Sequence, residues 1–239
     1  MTKLAVVFLG MLWSLVCHAQ KIPDVRAWVG VFEEVRQHAL FHELDVRYAK
    51  APARNIGNTP LGIIPYRDIR CTVVIAEGDN PKMQAIMAFG STPSQVHALM
   101  LTAAAHELGH CLRVRQKQMS SQFWALVAAT DEGSAQRHFM EQQASLEEAY
   151  ADAYALVYMR DAHALVFADV LRMMQALRAD PDFVTPYYRV EPLYAYLAQH
   201  AIEARGPLRQ RVEHLVAAAR FPQAQDVADR LLDQTTDRP

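Results

Sequence analysis

The sequence predicts an α+β fold that is predominantly helical, with a small sheet or hairpin ahead of its central helix and extra helices towards the C-terminus. Beyond Thr92, long stretches keep apolar residues at helical spacing. One run, Cys71-Thr72-Val73-Val74-Ile75-Ala76, is rich enough in β-branched residues to be a strand. Prolines fall at the edges of these runs, at Pro65, Pro81, Pro93, Pro181, Pro186, Pro207 and Pro222.

In chain order, Lys3 precedes an apolar run over residues 4–16, then Cys17-His18-Ala19 before polar Gln20-Lys21. This pattern predicts a secretory signal peptide over residues 1–19, cleaved after Ala19, and so an exported, periplasmic or secreted protein. The run is too short for a comfortable membrane span, so no stable span is expected after cleavage. Lipidation at Cys17 is the alternative, and Leu15-Val16 is a poor fit to the small residues such a site prefers. Residues 20–239 then suit a single domain with a helical C-terminal part.

Residues 22–50 read as an amphipathic helix with Val25, Trp28, Val29, Phe32 and Val35 on its apolar side. Residues 51–65, with Pro52, Gly57, Pro60, Gly62 and Pro65, read as a loop. The strand over 71–76, a turn-forming Glu77-Gly78-Asp79-Asn80-Pro81-Lys82 and a second apolar run over 83–89 read as a hairpin. Thr92-Pro93-Ser94-Gln95 supplies a capping threonine, proline at the first helical position and a glutamine placed for a capping box, predicting a helix from 93 to about 115. A second long helix begins near Asp131-Glu132-Gly133, and further helices occupy 161–179 and 191–232, with breaks at the prolines. Lys and Arg number 24 against 26 Asp and Glu, a net charge of −2, so nothing suggests a nucleic-acid surface.

Inside the predicted helix stands His106-Glu107-Leu108-Gly109-His110, an HExxH signature. Residues four apart on a helix share a face, so His106 and His110 can offer two imidazole nitrogens to one metal. Glu107, on the flank of that face, can take a proton from a metal-bound water. The related segment His42-Glu43-Leu44-Asp45-Val46 lacks the second histidine and reads as ordinary helix. Gly109 costs about 1 kcal/mol in a helix interior relative to alanine, so something must pack closely there, a sheet or a second helix bearing a third ligand.

A catalytic zinc takes three protein ligands and keeps one position open. The downstream helix offers Glu148-Ala149-Tyr150-Ala151-Asp152, with its two acids on one face. Glu147 and Glu141 are rival acids; Glu147 lies about 100° from Glu148 around the axis and has Ala151 one turn on, and Glu141 has Ser145. The competing HExxHxxGxxH pattern would need glycine and histidine where Arg113 and Gln116 stand.

Over these roughly sixty residues the chain resembles the gluzincin, thermolysin-like zinc metallopeptidases, whose signature is HExxH followed by E-x-x-x-D on a later helix. The resemblance implies a zincin-like fold in which His106, His110 and Glu148 bind Zn2+, Glu107 is the general base, and Asp152 orients a ligand histidine from behind. It implies hydrolysis of a peptide bond by a metal-activated water, on a peptide or protein substrate, and makes the run over 83–89 the edge strand that pairs with the substrate backbone. The alternative is a zincin-like envelope binding or assembly module without turnover. A metal-free helical interaction protein is a third reading.

No oxyanion donor is singled out. Tyr150, Tyr154 and Tyr158 sit well round the helix from Glu148 and are expected in the core, whereas Tyr187, Tyr188, Arg189 and His200 are placed to fold back over the site. His138 and His163 read as ordinary helix histidines. Once the leader is removed, Cys71 and Cys111 are an even pair in an oxidising compartment; a disulfide and two free thiols are both open.

Overall fold

The structure is a computed structural model, and it describes residues 24–52, 61–65, 70–78, 80–120, 122–180, 189–203 and 205–221. The expected leader with Cys17, the tyrosines Tyr187 and Tyr188, and the expected helix beyond residue 221 lie outside them. The described chain is mostly helical with a small three-stranded sheet, as the sequence predicts.

Helix α1 (Val25–Arg36) starts on Asp24, whose side chain accepts from the Ala27 amide at 2.8 Å, and buries Trp28, Val31, Phe32 and Val35. It is much shorter than the expected helix over 22–50. After a turn that buries Phe41 and Leu44, the chain enters strand β1 (Asp45–Pro52). The reason is periodicity: Asp45-Val46-Arg47-Tyr48 alternates polar and apolar residues, and the more exposed and more buried positions alternate with them. The segment from His42 to Val46 is therefore a turn running into a strand, not helix. The stretch read as a loop likewise contributes strand at both ends, the close of β1 and β2 (Leu61–Pro65).

Strand β3 (Arg70–Glu77) is central, in the order β1-β3-β2. It runs parallel to β1, with Asp45 opposite Arg70, and antiparallel to β2, with Leu61 opposite Ile75. Its central position explains why Val73, Val74 and Ile75 are all buried rather than alternating. The run over 83–89 is not a strand. Pro81–Ala88 form helix α2, because Asn80 caps it, accepting from the Met83 amide at 2.9 Å, and Pro81 occupies the first turn, where its missing N–H costs nothing. The hairpin ahead of the central helix is β2–β3.

Helix α3 (Pro93–Arg115) has the expected limits and the expected start: Thr92 Oγ1 accepts from the Gln95 amide at 3.2 Å, and Gln95 Oε1 accepts from the Ser91 amide at 2.9 Å. It packs against α1 and β2 and is tied to β3 by a disulfide between Cys71 and Cys111, whose Cα atoms are 5.9 Å apart. After α4 (Phe123–Ala129), Ser134 caps the long α5 (Ala135–Ala162), accepting from the Arg137 amide at 3.0 Å. The chain then forms α6 (Phe167–Ala179), α7 (Glu191–Leu197) and α8 (Leu208–Ala218).

Helix α5 lies along α3, and the glycine between the two histidines permits that approach. A Cβ on Gly109 would stand 3.1 Å from Tyr154 Cβ and 3.2 Å from Ala151 Cα, tighter than ordinary contact. Among the described residues, no helix is long and apolar enough to cross a membrane.

Candidate metal centre

The α3–α5 seam brings the two motifs together. His106 and His110 project from α3 with their rings perpendicular and their centroids 4.8 Å apart. Glu148 projects from α5 between them, with Oε2 at 3.3 Å from His106 Nε2 and Oε1 at 3.5 Å from His110 Nε2. Among the described residues this is the one group of three metal-ligating side chains whose donor atoms all lie within 4.8 Å of one another. Donors at about 2.0–2.1 Å around a tetrahedral ion are about 3.3 Å apart, so these spacings suit one small cation.

Behind His106, its Nδ1 lies 2.8 Å from Asp152 Oδ1. Donating Nδ1–H to that carboxylate leaves the Nε2 lone pair directed at the group, the tautomer that ligation requires. Asp152 is fully buried, and two residues absent from the sequence reading hold it. Arg178, from the last turn of α6, donates from Nη2 to Oδ1 at 2.6 Å and from Nε to Oδ2 at 2.9 Å. Tyr194, from α7, donates its hydroxyl to Oδ2 at 3.0 Å.

Charge tests whether a metal suits these residues. Three carboxylates, Glu107, Glu148 and Asp152, crowd this group, and among the described residues Arg178 is the guanidinium that meets them, 2.6 Å from Asp152 Oδ1 and 3.8 Å from Glu148 Oε2. Carboxylates so crowded need positive charge, which the raised His106 supplies in part as a proton and which a dication would supply in its place. Glu148 Oε2 is in addition buried with no hydrogen-bond partner among the described residues. The donor set, its spacing, its crowded carboxylates and an oxygen with no hydrogen bond among the described residues fit Zn2+.

The protonation tendencies follow. Burial alone would pull His106 down, but its contacts with Asp152 and Glu148 outweigh that and lift it to about 10. Burial pushes Glu148 up, and the two imidazoles it faces hold it below the usual carboxylate range. Burial likewise raises Asp152, and Arg178 and His106 hold it far below. Glu107, half-buried on the His106 flank, is raised by burial, with His106 and His110 opposing.

The rival acids are committed elsewhere. Glu147 receives a two-pronged pair from Arg113, at 2.6 Å and 2.8 Å, with both residues buried. Glu141 accepts from Arg137 Nε at 2.9 Å. Tyr154 and Tyr158 are buried in the core, and Tyr150 lies under the Arg113 guanidinium, 3.7 Å from its ring centroid, so none of the three serves the site. His200 is exposed and stacks on Tyr196 one turn back, and Arg189 is exposed beside a cavity with His138 and Glu141. His163 caps the end of α5 beside Tyr158, and His138 pairs with Gln142.

No family model, curated protein or solved structure matches the chain. The functional reading therefore rests on this constellation alone. No local signal marks Arg178 or Tyr194, since each reaches Asp152 only through the packing of its helix. The one available hint was general: a buried carboxylate behind a histidine needs balancing donors.

Proposed function

We propose that this chain is an exported, zincin-like zinc metallopeptidase of the gluzincin type, acting on peptide or protein substrates. The observation that carries the reading is the convergence of His106, His110 and Glu148 within 4.8 Å, with Asp152 bonded to the far nitrogen of His106. Bound there, Zn2+ would supply Lewis acidity, lowering the pKa of a water towards neutrality and polarising a substrate carbonyl.

The remaining roles belong to the chain. His106, His110 and Glu148 hold the ion, and Asp152 fixes the His106 tautomer and ring direction. Glu107 is the general base: its carboxylate takes a proton, and the carboxyl so formed returns it to the leaving amine nitrogen. Burial raises Glu107, which brings it closer to the range where taking and returning a proton are both easy. His106 and Glu107 are half-buried whereas His110 and Glu148 are buried, so a substrate approaches from the His106–Glu107 side. The edge strand packed against α3 is β2, and it takes the backbone-pairing role that α2, being helical, cannot.

The test is zinc content of the purified protein beside His110→Ala and Glu148→Ala, with peptide hydrolysis measured for Glu107→Gln. The reading expects one equivalent in the parent, sharply weakened binding in the first two variants, and zinc retained with hydrolysis abolished in the third. A zinc-free parent sinks the proposal; zinc retention with no hydrolysis of any peptide by the parent favours the binding or assembly module.

A further inference from the structure

Asp152 carries more than a second motif position requires. A carboxylate offers about four lone-pair directions, and the four donors here fill them: His106 Nδ1 and Arg178 Nη2 on Oδ1, Arg178 Nε and Tyr194 OH on Oδ2. The fork from Arg178 spans both oxygens, so it fixes the plane of the carboxylate as well as its place. Because His106 takes its direction from Oδ1, the imidazole inherits that plane. Four helices thus meet at one buried side chain: α3 through His106, α5 through Asp152, α6 through Arg178 and α7 through Tyr194.

We infer that Arg178 and Tyr194 are positioning residues that couple the candidate metal centre to the docking of α6 and α7, acting through Asp152. The inference rests on the metal-centre reading above. Its consequence is reciprocal: docking of these helices tightens metal binding, and metal binding strengthens their docking by the same factor. Metal loading and the packing of the C-terminal helices form one equilibrium, although neither helix supplies a ligand. Nothing else on α6 or α7 need touch the metal for this to hold.

The experiment uses the full chain and zinc itself. Zinc affinity is measured by chelator competition for the parent, Arg178→Lys, Tyr194→Phe, Asp152→Asn and the doubles that combine each of the first two with Asp152→Asn. Arg178→Lys keeps the charge and loses the fork, so it is expected to weaken zinc by about 10- to 100-fold, the usual effect of disturbing the partner behind a ligand histidine. Tyr194→Phe loses one of four bonds and should weaken it less. Each double should bind zinc no more weakly than Asp152→Asn alone, because the effect passes through Asp152.

A role confined to helix packing would instead leave zinc affinity unchanged in the single variants, or add in full to Asp152→Asn; either result overturns the inference. The visible spectrum of the cobalt-loaded protein supplies a second readout, expected to shift in Arg178→Lys. Hydrogen exchange supplies a third: zinc should protect α6 and α7 amides in the parent and not in Asp152→Asn. Should the parent bind neither metal, the metal-centre reading fails first. The positioning claim then stands or falls on nitrogen NMR of the His106 ring in the zinc-free protein, where Arg178→Lys must alter the Nδ1–H signal and an unchanged signal refutes it.

Discussion

Glu147 and Glu148 are neighbours in sequence, both are buried, and both face α3. Glu147 meets a guanidinium that closes on both of its oxygens at 2.6 Å and 2.8 Å, and the pair is complete within the chain. Glu148 meets two imidazoles, at 3.3 Å and 3.5 Å, and its Oε2 makes no hydrogen bond among the described residues, with Arg178 Nη2 3.8 Å away. A buried carboxylate with its cation built in is a structural tie. One held between two imidazoles, with its guanidinium only at 3.8 Å, is the carboxylate that the proposed cation would engage.

That contrast yields a crossed pair of expectations, the largest here. Glu148→Gln should sharply weaken zinc binding and cost the zinc-free protein less stability than Glu147→Gln, because its imidazole and guanidinium partners stand 3.3, 3.5 and 3.8 Å away rather than closing in a fork. Glu147→Gln should leave zinc stoichiometry intact and cost about 3 kcal/mol of folding stability, the lower part of the range for stranding one partner of a buried pair. The lower part applies because Arg113 keeps Gln118, at 2.9 Å, and the face of Tyr150. Parallel behaviour of the two variants in both assays would dissolve the distinction.

The seam itself supplies the next effect. On Gly109 an added methyl would meet Tyr154 Cβ at 3.1 Å and Ala151 Cα at 3.2 Å, and a backbone carbon cannot swing aside. Gly109→Ala gains helix propensity but pushes α5 from α3, for a net cost of about 1–3 kcal/mol. Since Glu148, the proposed third ligand, rides on α5, zinc affinity should fall as well. A variant as stable as the parent would show that the glycine is not what lets the two helices approach.

These residues also show what was legible before any coordinates. The HExxH helix, its Thr92 cap and its limits could be read because capping and helical spacing are local signals, and Glu148 could be chosen over Glu147 because Asp152 lay one turn beyond it. Helix α2 was misread from the apolar content of Met83, Ile86 and Phe89, although Asn80-Pro81 carried a start signal that the structure uses. Strand β1 was absorbed into the preceding helix because no proline or glycine separates Arg36 from Asp45; its alternation was present, but its pairing with β3 is decided 25 residues away, where Asp45 meets Arg70. Arg178 and Tyr194 were invisible for the same reason in stronger form, since the partner they serve lies 26 and 42 residues earlier.

The smallest effect concerns titration away from the candidate metal centre. His38 and His163 pack edge-on against Tyr158 from opposite partners, α1's following turn and the end of α5, and burial lowers the pKa of both. Asp161 pulls His38 back up, with His163 and Arg211 opposing, and Glu34 pulls His163 up, with His97 opposing. A histidine whose folded pKa lies below its unfolded value of about 6.5 binds its proton more readily in the unfolded chain, so the linkage favours unfolding as pH falls. The stability these two contribute is complete above about pH 6.5 and declines as the pH drops through their folded values. Urea midpoints for the parent should therefore fall between pH 7.5 and 5.5 by more than those of a His38→Gln, His163→Gln double variant. Taking the difference between the two proteins cancels every contribution that they share. Equal slopes would mean that the two histidines of the Tyr158 cluster titrate alike in the folded and unfolded chains.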